Sequence, residues 1–516
     1  MVVHMSFTVK KLIALLLCLT MVFTLAACNG GSGSQAGSES QPASTAASSA
    51  SADEGSESGS EPAASGEVKK VVVAIPTTYD MPDAGEVQSA INAITEGKYG
   101  ISFEFIFIAT GNWQQQSNLL LTGDEVDVTA LFATPLTTFV KNGQLVALDD
   151  YYANASDAFK SVWTDEELKG TTVNGTIYGI PNMRNFGNYF GLNIDAEIAA
   201  EFGIEDGQKL TMEDVDKFLR DAHEKYPDRY GLAPQGGDAI MTQWSWDGLG
   251  DNKYIGVLPD MGQTTEVQNL FDTDDFREFC TWTRSWYQDG LIMQDVLSNT
   301  EGWKAMITNK KAIACFDNYG VNGVSGMIRT VIIDAWAVAN SYAELCYGIN
   351  INSKDKDAAW QAMEILYTDQ EVSILLNNGI EGKHFNKNDD GTISFPEGKT
   401  AGDVGYGMAD LYWITPYSAN SYPLDVNGPT FFEDLIVFNK ETTLKSKAFG
   451  FSFDTTPVVD QYTACINVMD KYYKALMSGA VDVESTIEQA NAEFEAAGLA
   501  DIINAKQEQL DAYLAG

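Results

Sequence analysis

The sequence predicts an α/β protein folded as two lobes, and three observations carry that expectation. Apolar runs of strand length alternate with helical stretches from Val71 onward; a short proline-locked extended segment, Asn174 to Phe186 (NGTIYGIPNMRNF), interrupts the alternation; a second alternating stretch begins beyond it. Strands alternating with helices build βαβ units around a largely parallel sheet, and a chain of 516 residues that is 45% hydrophobic has material for more than one core.

In chain order, Val71 to Ile75, Ile101 to Ile108 and Val126 to Phe132 are apolar runs suited to buried parallel strands. Between the first two, Val87, Ile91 and Ile94 lie three and four residues apart, the spacing of one helix face. Trp113 to Leu121 reads as the next helix. Loops after the strands of such sheets face the ligand crevice, which places Thr110 to Trp113 and Phe132 to Thr134 beside a cleft. In the interrupting segment, Asn174-Gly175 signals a tight turn. Pro181 holds Ile180 extended, because its ring clashes with a helical predecessor. Further on, Thr211-x-x-Asp214 forms a capping box that opens a helix with Val215, Phe218, Leu219 and Ala222 on one face. Ala312 to Phe316 is another strand, followed by Asp317-Asn318-Tyr319-Gly320; Tyr347 to Ile351 and a helix over Ala358 to Leu366 start a further unit. Ile503, Leu510 and Leu514 share a helical face near the end.

The first 27 residues have the make-up of an export signal. Lys10 and Lys11 precede an apolar run from Leu12 to Ala27, shorter than a membrane span and ending in small residues. Leu25-Ala26-Ala27-Cys28 resembles the bacterial lipobox, which implies cleavage before Cys28 and lipid on its thiol. Residues 28–66 contain no Lys or Arg and are dominated by Ser, Gly, Ala and Glu, a composition that buries too little to fold. The expected arrangement is a lipid-anchored tether carrying a globular body on the outer face of a cell membrane, in the manner of Gram-positive lipoproteins.

Several function classes are disfavoured by composition. A formal net charge of −40 argues against nucleic acid or anionic lipid as the ligand. Beyond the leader only His223 and His384 remain, which removes H-E-x-x-H zinc sites and leaves little for a nucleophilic triad. No phosphate-loop or nucleophile-elbow motif is present, and Gly320-x-x-Gly323-x-x-Gly326 reads as a loop. No catalytic residue, cofactor or metal is assigned. Cys280, Cys315, Cys346 and Cys465 show no metal-ligand spacing and are either buried thiols or two disulfides, buried thiols being favoured. Asn386, Asn388, Asp390 and Glu397 approach a calcium-loop pattern, yet Asp390-Gly391 between Phe385 and Ile393 reads better as a hairpin turn.

Longer stretches make a resemblance specific. "GQLVALDDYYAN", "LKGTTVNGTIYGIPN", "WKAMITNKKAIACFDNYG" and "YGININSKDKDAAWQAMEILYTDQEVSILLNNGIEGKHF" are similar to the extracellular solute-binding proteins of carbohydrate ABC importers, the maltose-binding-protein type. "FGFSFDTTPV" and the tail "AGLADIINAKQEQLDAYL" resemble a large lipoprotein branch of that family. The resemblance implies a periplasmic-binding-protein-like fold with a hinge and an interlobe ligand cleft. NGTIYGIPN becomes the first crossing between lobes, with returns near Cys346 and past Trp413. Lobe I then comprises residues 69–181 and about 346–415, and lobe II residues 182–345 and about 416–516. The implied ligand is a carbohydrate, the implied partners are membrane permease subunits, and the chain acts as a monomer. A peptide receptor and a surface glycosidase or adhesin are the alternatives.

Sugars present apolar C–H faces rimmed by hydroxyls, so their sites need aromatic platforms and fixed polar groups. Among 10 Trp and 22 Tyr, Trp113 follows the second strand, Trp244 and Trp246 sit in a polar-aromatic cluster, and Trp413 lies near the last crossing. By resemblance Tyr319 stacks on a sugar ring, with Asp317 and Asn318 as hydrogen-bond partners. Arg184 and Asn185 follow the hinge within reach of ligand hydroxyls or a carboxylate.

Overall fold

A computed structural model describes residues 67–235 and 239–515. The expected leader, the Cys28 lipid site and the tether lie outside the described residues. The chain begins with β1 (Lys69–Thr77), α1 (Ala84–Tyr99), β2 (Ile101–Ala109), α2 (Thr110–Leu120) and β3 (Val128–Phe132). β1 pairs in parallel with both β2 and β3, as two βαβ units require. Val87 and Ile91 of α1 are buried against the sheet, and Gly100 ends the helix at φ 68, where glycine carries no Cβ penalty.

The Asn174-Gly175 signal is a turn with both residues at positive φ, joining paired Thr172–Val173 and Thr176–Ile177. β4 (Ile180–Pro181) follows, then β5 (Asn188–Asp195), α3 (Met212–Lys225), β6 (Tyr230–Leu232), α4 (Asp274–Gln288), β7 (Ala312–Tyr319), β8 (Met327–Arg329) and β9 (Ile333–Ala337). The capping box forms as expected: Asp214 N donates to Thr211 Oγ1 at 3.2 Å, and Thr211 N donates to Asp214 Oδ2 at 3.0 Å. Val215, Phe218, Leu219 and Ala222 are buried. The chain continues through β10 (Leu345–Ile349), α5 (Lys356–Thr368), α6 (Gln370–Asn378) and α7 (Phe431–Val437). It ends with β11 (Leu444–Lys445), α8 (Val459–Met477), α9 (Val483–Ala497) and α10 (Leu499–Ala515).

The strands form two main sheets, ordered β2-β1-β3-β10-β4 and β11-β9-β5-β7-β6, with β8 also pairing β5. Each sheet has its own hydrophobic core. β4 belongs to the first sheet and β5 to the second, so the first crossing is Asn182–Gly187, just after the proline-locked strand. The second crossing follows Ala339, which packs in lobe II, and precedes Tyr342, which packs in lobe I.

The last crossing differs from expectation. Phe431, Phe432 and Leu435 pack into the lobe I core, and the second sheet is rejoined only at β11. The chain therefore leaves lobe I at about 438–443 rather than 416. Past Trp413 it runs alongside the first crossing without crossing: Met183 N donates to Pro416 O at 3.1 Å.

Asn386–Lys387 pairs with Ile393–Ser394 as the expected hairpin, and Asp390 Oδ1 accepts hydrogen bonds from Thr392 N (3.0 Å) and Thr392 Oγ1 (2.7 Å). The four cysteines are buried, free thiols. Among the described residues no helix is long and apolar enough to cross a membrane.

Candidate functional site: a cleft beside three crossings

The crossings are tied to one another by polar side chains, of which Asn439 is buried and Arg184 partly so. Arg184 spans two of them: its guanidinium donates to Asn185 O (3.1 Å), to Ser341 O and to Glu344 Oε2 (2.9 Å). Asn439, on the third, accepts from Phe186 N at 2.9 Å and donates to Arg184 O at 2.8 Å. Phe186 and Tyr342 meet at a centroid distance of 3.9 Å. Backbone groups of an irregular crossing have no ladder partners, and these side chains supply them.

A cleft of about 380 Å³ opens beside this junction. Lobe I contributes Tyr79, at the end of β1, and the loop carrying Asp410, Tyr412 and Trp413; lobe II contributes Lys304 and the Asn322-Gly323 loop. Trp413 rests edge-on against Phe132 (6.2 Å) and Tyr412 against Phe431 (4.9 Å), so the rings are oriented before any ligand meets them. The Tyr79 hydroxyl donates to Asp410. Burial, with the Asp410 carboxylate as acceptor, pushes the Tyr79 phenol well above its ordinary range, so it stays a donor at neutral pH. Tyr412 Oη donates to Asn185 Oδ1 at 3.1 Å. The arrangement offers aromatic faces on one wall and amide, ammonium and carboxylate groups around it. That combination suits a neutral polyhydroxylated ligand. Among the described residues no group of His, Cys, Asp or Glu gathers as a metal site.

Of the residues singled out in the sequence, Arg184, Asn185 and Trp413 line the cleft, although the Arg184 guanidinium is already engaged across the crossings. Trp113 does not line it. Its exposure is 0%, because α2 starts immediately after β2 and turns the ring onto the sheet, into the lobe I core. A ring without an exposed face cannot serve as a platform in this structure. Trp244 and Trp246 are also core residues, packed on Phe279 (4.9 Å) and Phe276 (5.7 Å). Tyr319 is 7% exposed, its hydroxyl donating to Thr330 O (2.6 Å) and its ring covered by Arg329 (4.6 Å). Asp317 accepts from Asn193 Nδ2 (2.7 Å) and Gln235 Nε2 (3.0 Å), and Asn318 Oδ1 accepts from Gln235 Nε2 (2.7 Å). This pair braces lobe II from within. Sequence reasoning missed Tyr79, Asp410, Tyr412 and Lys304. The rule that loops after parallel strands face the crevice, applied to β1, leads directly to Thr78-Tyr79.

Residues 447–515 match the family described as "Domain of unknown function (DUF3502)". A carbohydrate ABC transporter substrate-binding protein of Streptococcus pneumoniae serotype 4 (strain ATCC BAA-334 / TIGR4) is 24% identical over 466 residues, covering 88% of this chain and 92% of that protein. The crystal structure of the N-glycan transport solute binding protein NgtS from S. pneumoniae superposes with a TM-score of 0.76 at 21% identity, over 87% of this chain and 99% of that one. This chain has the two-lobe solute-binding fold. A solute-binding protein of Bifidobacterium longum infantis, described as binding HMO and associated with an ABC transporter, shares it at a TM-score of 0.58 and 15% identity, over 87% of this chain and 99% of that one.

Proposed function

We propose that this protein is the extracellular substrate-binding component of an ABC importer and captures an oligosaccharide between its lobes for delivery to membrane permease subunits. The carrying observation is the cleft itself: Tyr79, Tyr412 and Trp413 face amide and charged groups at the junction of three interlobe crossings. Similarity to a carbohydrate ABC transporter substrate-binding protein along nearly the whole body supports the same reading. The solved NgtS complexes with Man1GlcNAc and Man5GlcNAc make mannose- and N-acetylglucosamine-containing glycans the first ligands to try. Trp413, with Tyr412 and Tyr79, supplies stacking faces; Asn185, Asp410 and Lys304 supply hydrogen bonds. Binding shifts the lobe equilibrium by favouring one arrangement over the other. Cys28 carries the lipid that holds the body, as a monomer, outside the membrane.

A thermal-shift screen over oligosaccharides and peptides tests the ligand class. A ligand at 100 times its dissociation constant adds about 2.7 kcal/mol, a shift that such a screen detects. Stabilisation by peptides and by no saccharide overturns the proposal. Mass spectrometry of the native protein tests the anchor: a diacylated N-terminal Cys28 is expected, and an intact Met1 overturns it.

A further inference from the structure

The Gly320-x-x-Gly323-x-x-Gly326 motif reads in the sequence as a plain loop, yet its glycines are not equivalent. Gly326 has φ +75, so the turn itself requires it. Gly320 and Gly323 do not have positive φ; their own backbone would accept any residue. What excludes a side chain is a neighbour. A Cβ on Gly323 would sit 2.2 Å from Val426 O, and one on Gly320 would sit 2.4 Å from Asn185 Cγ. Val426 lies in the lobe I turn ended by Gly428 at φ 84, and Asn185 lies in the first crossing. Two further contacts follow the same path. Asn427 Oδ1 accepts the Gly323 N–H at 2.9 Å, and Val321 packs on the lobe I core.

We infer that Gly323 and Asn427 are positioning residues for ligand capture. Their contact holds the Gly320–Gly323 loop of lobe II on the 425–427 turn of lobe I and biases the free protein toward the lobe arrangement that binds. The inference deepens the proposed function and rests on it for the ligand. The physical argument is one of requirement. Were the lobes always apart at this point, Gly323 would carry a conformational-entropy cost with no compensating contact. The bare backbone lets two chains approach to the distance where an amide N–H reaches a side-chain carbonyl across the lobes. Because the contact uses protein groups only, it contributes in the free protein. Apparent affinity scales with the fraction already in the competent arrangement.

The test uses the folded body with Gly323→Ala, Asn427→Leu and Asn427→Asp, the last keeping an acceptor for the Gly323 amide. Small-angle scattering without ligand reads the lobe arrangement. Titration with the best oligosaccharide from the screen reads affinity, and melting temperature checks folding. Gly323→Ala and Asn427→Leu are expected to raise the radius of gyration and to weaken binding several-fold, up to about tenfold if the competent fraction falls to a tenth. Melting temperature should stay near the parent's, and Asn427→Asp should restore both readouts. An unchanged radius of gyration in Gly323→Ala and Asn427→Leu overturns the inference, as does tighter binding, which would mean the contact favours an arrangement that excludes ligand. If no saccharide binds the parent, the proposed ligand class fails, while scattering still decides whether the contact holds the lobes.

Discussion

Each lobe must fix a long irregular loop against its packed body, and the two do so with different chemistry. In lobe II the loop from Trp246 to Leu258 closes over a fully buried lysine. Lys506 Nζ donates to Ile255 O (2.8 Å), Gly256 O (2.8 Å), Gly248 O (3.2 Å) and Asp251 Oδ2 (3.3 Å). Asp247, also buried, accepts from Leu249 N and from Ala339 N, both at 2.8 Å, which ties the same loop to the second crossing. Burial lowers the Lys506 pKa and raises that of Asp247. In lobe I neutral groups supply several of the ties that hold the segment from Gly379 to Tyr422, beside the Lys383–Asp83 ion pair at 3.1 Å. His384 Nδ1 accepts from Ile380 N (2.9 Å), Tyr406 Oη donates to Leu376 O (2.9 Å), and Asn378 Nδ2 donates to Tyr422 O (3.0 Å). One ammonium satisfies several carbonyls at once at a large desolvation cost, whereas each neutral group satisfies one or two at small cost. Lobe II should therefore fail abruptly when the Lys506 cation is lost, while lobe I should loosen by degrees.

The largest expected effect is Lys506→Met, which keeps the stem and removes the charge. Stranding Asp251 and the loop carbonyls should cost about 3–5 kcal/mol, read by denaturant unfolding, with fastest gain of hydrogen exchange over residues 248–256. Adding Asp251→Asn should recover part of the loss. A cost below about 1 kcal/mol would remove the contrast between the lobes.

Lobe I should instead respond to pH. His384 accepts the Ile380 amide through Nδ1, so its second nitrogen carries the proton facing Asp83 Oδ2 at 3.3 Å. Asp83 is itself paired with Lys383 at 3.1 Å, with Glu86 nearby. Burial holds the His384 pKa below its ordinary 6.5 despite the Asp83 carboxylate. As pH falls the unfolded chain takes up this proton first. The stability contribution is thus complete above 6.5 and declines below it, by at most ~1.4 kcal/mol per pH unit for one group. His384→Gln should flatten this part of the stability profile; an identical profile in the variant would assign the dependence elsewhere.

The cleft offers a smaller effect. Trp413→Ala should weaken oligosaccharide binding by about 0.5–1.5 kcal/mol beyond lost area with a modest change in melting temperature. Trp113→Ala should do the reverse, costing about 3–5 kcal/mol of stability as a core ring. Equal effects of the two on affinity would erase the distinction drawn between them. Smallest is the Asp390 turn: Asp390→Ala should cost about 1 kcal/mol or less, and a chelator should leave the melting temperature unchanged. A large loss on chelation would revive the calcium reading of Asn386 to Glu397.

The parts of this molecule legible in the sequence are those decided within a few residues. The β1-α1-β2 unit, the Thr211–Asp214 capping box, the Asn174-Gly175 turn and the Asp390-Gly391 hairpin all rest on local periodicity or local hydrogen bonds. The cleft was legible only in part. Arg184 and Asn185 line the cleft because they lie in the first crossing; Trp413 lines it beside that same crossing and not at the last one, while Trp113, Trp244 and Trp246 are core residues. A tryptophan has the same composition signal on a cleft wall and in a core. Which way it faces depends on the angle at which its element meets the sheet.

Sequence by itself determined the α/β class, the proline-stiffened strand before the first crossing and the order of elements, since each follows from backbone sterics or short-range burial patterns. Only the tertiary structure decided where the last crossing lies. Phe431, Phe432 and Leu435 form an apolar helix face that either lobe would accept, and long-range packing assigned it to lobe I. Only the tertiary structure, too, explained Gly323 and Lys506. A glycine with ordinary φ and a lone lysine on a terminal helix carry no local signal. Their roles come from a backbone oxygen 2.2 Å from a missing Cβ and from loop carbonyls some 250 residues away in the chain.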